Sequence, residues 1–197
     1  MLKEKIIQTA VAFYSRYGIK SVSMNQIANA MSISKRTIYE NFENKEELLI
    51  GCLEFGTEKL RETVEETEKQ SKSAIETFTA ICTSVFRYTG SFCPSFYKDI
   101  VRYPDAANKL DEYKDFFKEE CRYYFSKGVE EGCFLPDQNY EFITSLFVDQ
   151  LHQMKLEHQT SMVHTLLRGI CTEQGLEELK KYIPRVSQKI NQTANTL

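Results

Sequence analysis

The chain has 197 residues, 42% of them apolar and 27% charged, enough to build a sizeable core without disulfides or a structural metal, which excludes a disordered, tail-like protein. Only 8 Gly and 4 Pro interrupt it, which favours long helices. A net charge of −3 argues against a surface coated in nucleic acid, yet residues 1 to 45 hold seven cations against three anions, so that segment is +4 and the remainder −7; an acidic partner is expected at the amino-terminal end.

In chain order, Ile6, Ile7, Ala10, Val11, Phe13, Tyr14 and Tyr17 recur at helical spacing and predict a first helix over 3–17, with Gly18 as its stop. Ser23-x-x-Gln26 has the form of a capping box and predicts a short helix over 24–31. Ser32-Ile33-Ser34 breaks it, and Ser34 caps a second short helix over 35–42. Asn44-Lys45-Glu46-Glu47 is a further capping signature, followed by Leu48, Leu49, Cys52, Leu53 and Leu60, so a long helix leaves this small unit and connects two domains.

Ser73-x-x-Glu76 opens the next helix, through Phe78, Ile81, Cys82, Val85 and Phe86, which ends before Pro94. A short helix is expected over 95–103, stopping at Pro104. Leu110, Tyr113, Phe117, Cys121, Tyr124 and Phe125 mark a helix of several turns, closed by Gly128 to Gly132 and the Leu135-Pro136 break. Three more apolar stripes follow: Phe142, Ile143, Leu146, Phe147, Leu151 and Met154; Met162, Val163, Leu166, Leu167 and Ile170; Leu176, Leu179, Ile183, Val186 and Ile190. Each is too wide to be left in water, and a carboxy-terminal helix pair with spare apolar surface is a natural homodimer seam, although closing a monomer core would use the same stripes. No alternating strand pattern occurs, so the fold class is all-α.

Residues 22 to 49, Val-Ser-Met-Asn-Gln-Ile-Ala-Asn-Ala-Met-Ser-Ile-Ser-Lys-Arg-Thr-Ile-Tyr-Glu-Asn-Phe-Glu-Asn-Lys-Glu-Glu-Leu-Leu, closely resemble the helix-turn-helix signature of the tetracycline-repressor (TetR) family. The matching points are Ile27-Ala28 on the first helix, Ile33-Ser34 in the turn, Thr37-Ile38-Tyr39 and Phe42 on the second, and Lys45-Glu46-x-Leu48 opening the next. Physically, Ala28 is small enough for two helices to cross closely while Ile27, Ile33, Ile38 and Phe42 fill a miniature core. Lys35, Arg36 and Thr37 face outward at the start of the second helix, where a turn entering the major groove places side chains against base edges, and the forked guanidinium of Arg36 is the best candidate to read a guanine. The resemblance implies phosphate contacts by Thr37, Tyr39 and Lys45, and by free amides near Ser23 and Met24; the ring of Tyr39 can also pack against Phe42. This sequence departs from the family pattern at three positions. Ser32 and Arg36 stand where Gly is common, and Asn41 replaces the usual His. If residue 32 needs a positive φ, the turn is strained by about 1 kcal/mol or bends differently.

The resemblance further implies an amino-terminal three-helix DNA-binding domain over 1–46 and a helical effector-binding and dimerising domain over 47–197. The expected partners are double-stranded DNA, a small apolar or amphipathic effector and a second copy of the chain. Of the 24 Phe and Tyr residues, 17 lie between Phe78 and Phe147, and Phe86, Tyr103, Tyr113, Phe117, Tyr124 and Phe147, with His152 as a polar anchor, are candidates to surround an effector. Core packing accounts equally well for any single member. His152, His158 and His164 are spaced by six and do not share a helix face, and the six cysteines contain no C-x-x-C pair, so reduced, packed thiols and no metal or cofactor are expected. No phosphate-binding Gly loop or nucleophile elbow is present, so no enzyme activity is expected. No apolar run has the length of a membrane span or a secretion signal, giving an expectation of a cytoplasmic protein. Two rival readings share this sequence: a constitutive DNA-binding dimer with a filled interior, and a helical ligand-handling protein that keeps a DNA-binding-like head.

Overall fold

A computed structural model describes residues 1–151 and 156–182. Among the described residues are α1 (Leu2–Tyr17), α2 (Met24–Ala30), α3 (Lys35–Asn41), α4 (Lys45–Gln70), α5 (Ala74–Thr89), α6 (Pro94–Ile100), α7 (Pro104–Glu130), α8 (Tyr140–Leu151) and α9 (Leu156–Ile170), with a further helical run over 173–182. Among the described residues there is no strand, only an isolated antiparallel bridge between Phe134 and Cys171. All six cysteines are free thiols, five of them buried.

The caps read from the sequence are made. Ser23 Oγ accepts from the Gln26 amide while Gln26 Oε1 accepts from the Ser23 amide at 2.7 Å, which closes the capping box of α2. Ser34 Oγ accepts from the Thr37 amide at 3.0 Å, and Asn44 Oδ1 accepts from the Glu47 amide at 2.9 Å. The prolines act differently from the expectation of stops. Pro94 and Pro104 are the first residues of α6 and α7, where a missing amide costs nothing, so α6 ends at Ile100, before the expected limit of 103. α7 ends at Glu130, within the Gly128 to Gly132 stretch expected to close it, with Gly132 left-handed just beyond (φ 74°); at Gly128 an added Cβ would stand 2.2 Å from the Phe134 ring, so the residue permits a close approach.

The chain divides into two compact units, one made of Met1–Lys59 with Gly90–Asp115, the other of Leu60–Thr89 with the residues from Phe116 onward. The first has a continuous core in which Ile6, Ala10 and Tyr14 of α1 meet Ile27 and Ala28 of α2, Ile38 of α3, and Leu48, Leu49 and Leu53 of α4. Phe96 and Ile100 of α6 and Ala106 of α7 close the same core. In the second unit Phe78, Phe125, Phe134 and Tyr140 form an aromatic chain, with Phe125 stacked on Tyr140 at 5.0 Å. The expected apolar residues Met154, Ile183, Val186 and Ile190 lie outside the described residues.

Candidate nucleic-acid interface

The turn between α2 and α3 is a tight left-handed cap. The Ile33 amide bonds the Ala28 carbonyl at 3.0 Å and the Ser32 amide bonds that of Asn29 at 3.1 Å, the paired pattern of a Schellman motif. That pattern needs a left-handed residue at its corner, and Ser32 supplies it with φ of 54°. The turn therefore keeps its bend although Gly is missing, and the residue bears the cost of a Cβ in that region. Behind the turn, Ala28, Ile27, Ile38 and Phe42 are buried as the sequence predicts, with Ile33 half-buried against them. Asn41 donates from Nδ2 to the Thr37 carbonyl, one turn back on α3, at 2.8 Å.

This frame leaves one edge of α3 in solvent. Lys35, Arg36 and Tyr39 are exposed and Thr37 is half-buried. The Arg36 side chain is 88% exposed, and its Nε donates to Glu40 one turn later at 2.8 Å. The Lys35 ammonium lies 5.8 Å from the centre of the Tyr39 ring, so that ring faces a cation outside rather than the Phe42 core inside. Thr37 Oγ1 shares a 2.8 Å hydrogen bond with Ser34 Oγ. Ser23 is exposed, whereas Met24 is buried.

Lys45 differs from the others. Its half-buried ammonium donates to the carbonyls of Ile19, at 2.5 Å, and Val22, in the loop between α1 and α2. Burial lowers its pKa, and the nearby carboxylate of Asp99 opposes that effect. Asp99, on α6, escaped the sequence reading; its Oδ2 accepts from the Lys20 amide at 2.7 Å, a pairing across 79 positions.

Residues 6–52 match the family model for bacterial regulatory proteins of the tetR family. That amino-terminal quarter is of the TetR type. Over 156 residues the chain is 22% identical to the HTH-type transcriptional repressor KstR2 of Mycolicibacterium smegmatis, covering 72% of this chain and 71% of that one. Over 46 residues it is 35% identical to the "Probable acrEF/envCD operon repressor" of Escherichia coli K12, covering 23% of this chain and 21% of that one. In structure it is similar to the ketosteroid transcriptional regulator KstR2 of Mycobacterium tuberculosis, with a TM-score of 0.64 at 16% identity over 88% of this chain and 96% of that one. Among its described residues the chain is helical, and its amino-terminal quarter and its fold are similar to those of DNA-binding regulators of transcription. No helix among its described residues is long and apolar enough to cross a membrane, and no group of metal-ligating side chains occurs among them.

The effector candidates separate. Phe86 and Phe117 each lie about 6 Å from Phe147 in the second unit. Tyr124, in the same unit, is buried and donates its hydroxyl to Glu68 at 2.7 Å. Tyr103 and Tyr113 fall in the first unit, and His152 lies outside the described residues. A cavity of about 400 Å³, which the sequence did not suggest, opens in the first unit against Lys3, Ile7, Phe42, Gly51 and Phe55.

Proposed function

We propose that the chain is a repressor that binds a near-palindromic operator as a homodimer and is released by a small apolar or amphipathic effector. In this reading residues 1–46 form the DNA-binding head and residues 47–197 the effector-binding and dimerising part. The observation that carries it is the edge of α3: Lys35 and Arg36 stand in solvent on a helix whose opposite face is locked by Ile38, next to a left-handed turn that fixes its angle to α2. Lys35, Arg36 and Thr37 enter the major groove, and Thr37, Tyr39 and the amides near Ser23 and Met24 meet the phosphates.

Dimerisation is supported by Phe142 and Leu146, one turn apart on α8 and 63% and 54% exposed, which is a costly way to leave a monomer in water. Two heads related by a two-fold axis require half-sites about 34 Å apart, or a multiple of that. The effector sits beside Phe86, Phe117 and Phe147, where aromatic faces are gathered; an apolar effector also suits the likeness to the ketosteroid transcriptional regulator KstR2. A coupling of about 1 to 3 kcal/mol between effector and DNA changes operator affinity roughly 5- to 150-fold.

Selection of bound fragments from random duplex DNA tests the reading directly. Enrichment of a near-palindrome with a full-turn spacing is the expected result. Failure to enrich any motif at low salt overturns it.

A further inference from the structure

We propose that Lys45 and Asp99 act together as a clasp on the loop between α1 and α2, making Lys45 a positioning residue for DNA binding whose ammonium is held on the protein. The inference deepens the DNA-binding reading above and rests on it.

The loop runs from Gly18 to Ser23, whose side chain caps α2, so its path fixes where the amino end of α2 stands. Two helices hold it from opposite sides with opposite chemistry. From α4, the Lys45 ammonium, which can only donate, takes the carbonyls of Ile19 and Val22. From α6, the Asp99 carboxylate, which can only accept, takes the intervening Lys20 amide. Three successive stretches of the loop are thus satisfied by two side chains whose charges attract each other. Packing reinforces the grip: a Cβ on Gly18, where φ is 76°, would stand 2.6 Å from Ser95 Oγ and 3.4 Å from Asp99 Oδ2, so the loop lies directly on α6. The Cys93 amide, at the start of α6, also bonds the Ser15 carbonyl at 2.8 Å. The Lys45 ammonium lies 6.0 Å from the ring of fully buried Tyr14, which floors the clasp.

A consequence is that α6 reaches the DNA-facing end of α2 through Asp99 and the loop. Phosphate contact and clasp make different demands on Lys45. A phosphate contact neutralises a charge on DNA and contributes roughly 0.9 to the slope of log affinity against log salt. A clasp leaves that slope alone and shows itself in the protection of the loop amides.

The test uses the full chain carrying Lys45→Met, Lys45→Arg, Asp99→Ala or Asp99→Asn. Operator affinity is measured over a salt series, and hydrogen exchange of the Lys20 and Ser23 amides without DNA. Lys45→Met and Asp99→Ala are expected to weaken DNA binding about tenfold at every salt concentration with the wild-type slope, and to speed exchange at both amides by freeing the loop, roughly 10- to 100-fold for Lys20 in Asp99→Ala, the factor that losing a hydrogen bond to a charged group corresponds to. Lys45→Arg and Asp99→Asn, which keep a donor and an acceptor, are expected to restore both. A slope reduced by about 1 in Lys45→Met, with loop exchange unchanged, overturns the proposal. If even the wild type binds no DNA, the reading of function has failed, and exchange alone decides the clasp: faster exchange in both variants retains it, unchanged exchange sinks it.

Discussion

Arg36 and Glu40 are paired one turn apart on α3, Nε to Oε1 at 2.8 Å, on the surface proposed above to meet DNA. The pair is exposed, so it contributes little to stability, but it holds the guanidinium beside the helix. Reading a base requires Arg36 to leave Glu40. Glu40→Gln is therefore expected to tighten operator binding by about two- to fivefold at low ionic strength, with the gain shrinking as salt rises. Arg36→Ala is expected to cost about 1 to 3 kcal/mol at one base position while leaving the others as they are. Competition among single-base operator variants checks both, and unchanged base preference in Arg36→Ala removes it from the reading set.

Ser32 holds a left-handed corner that glycine adopts freely. Ser32→Gly removes the Cβ penalty of about 1 to 2 kcal/mol but loosens the unfolded chain by about 0.4 to 1 kcal/mol, so a net gain of about 0.5 to 1 kcal/mol is expected. Ser32→Val adds a branched side chain at the same corner and is expected to lose more than 1 kcal/mol, roughly. Denaturant midpoints of the two variants should fall on opposite sides of the wild type; a lower midpoint for Ser32→Gly refutes the strain.

Phe142 and Leu146 are expected to lie in the homodimer seam. Burying each contributes about 1.5 to 3 kcal/mol per copy, and two-fold symmetry counts every change twice. Phe142→Glu with Leu146→Glu should weaken self-association roughly a hundredfold or more. Sedimentation velocity reads this directly, with circular dichroism to show that the helices remain. A double variant that sediments as the wild type does places the seam elsewhere.

Glu120, on α7, is half-buried, and its carboxyl is held above the usual range, chiefly by burial and then by the charge of Glu68. The folded state therefore binds its proton more tightly than the unfolded chain, and stability falls as pH rises from the usual carboxylate range through the raised folded value. Glu120→Gln is expected to stabilise the protein at neutral pH, and the advantage to vanish once the pH drops below the usual carboxylate range. Thermal melts at neutral and acidic pH compare the two chains; an advantage that persists undiminished in acid would point to packing in place of charge.

What could be read from residues alone was whatever is settled within a turn or two of chain. Ser23 with Gln26 and Ser34 with Thr37 close bonds three positions apart, so composition and order suffice to place those helix starts. The burial of Ile27, Ala28, Ile38 and Phe42 follows from periodicity in the same way. Pro94 and Pro104 misled because proline is compatible with both sides of a helix boundary; whether it ends one helix or begins the next depends on which neighbour packs. Asp99 carries no local sign of its partner, since the Lys20 amide is 79 positions away and needs no matching side chain. The charge on Lys45 pointed to DNA by resemblance, whereas its bonds to Ile19 and Val22 involve backbone carbonyls, which no sequence displays.

The bridge at Phe134 and Cys171 is flanked by bonds from the Leu135 amide to the Ile170 carbonyl and from the Thr172 amide to the Cys133 carbonyl. The excursion through α8 and α9 thus departs and returns at a single stitch. The two ends of that excursion share one anchorage, so a change that parted Phe134 from Cys171 would loosen the base of both helices at once.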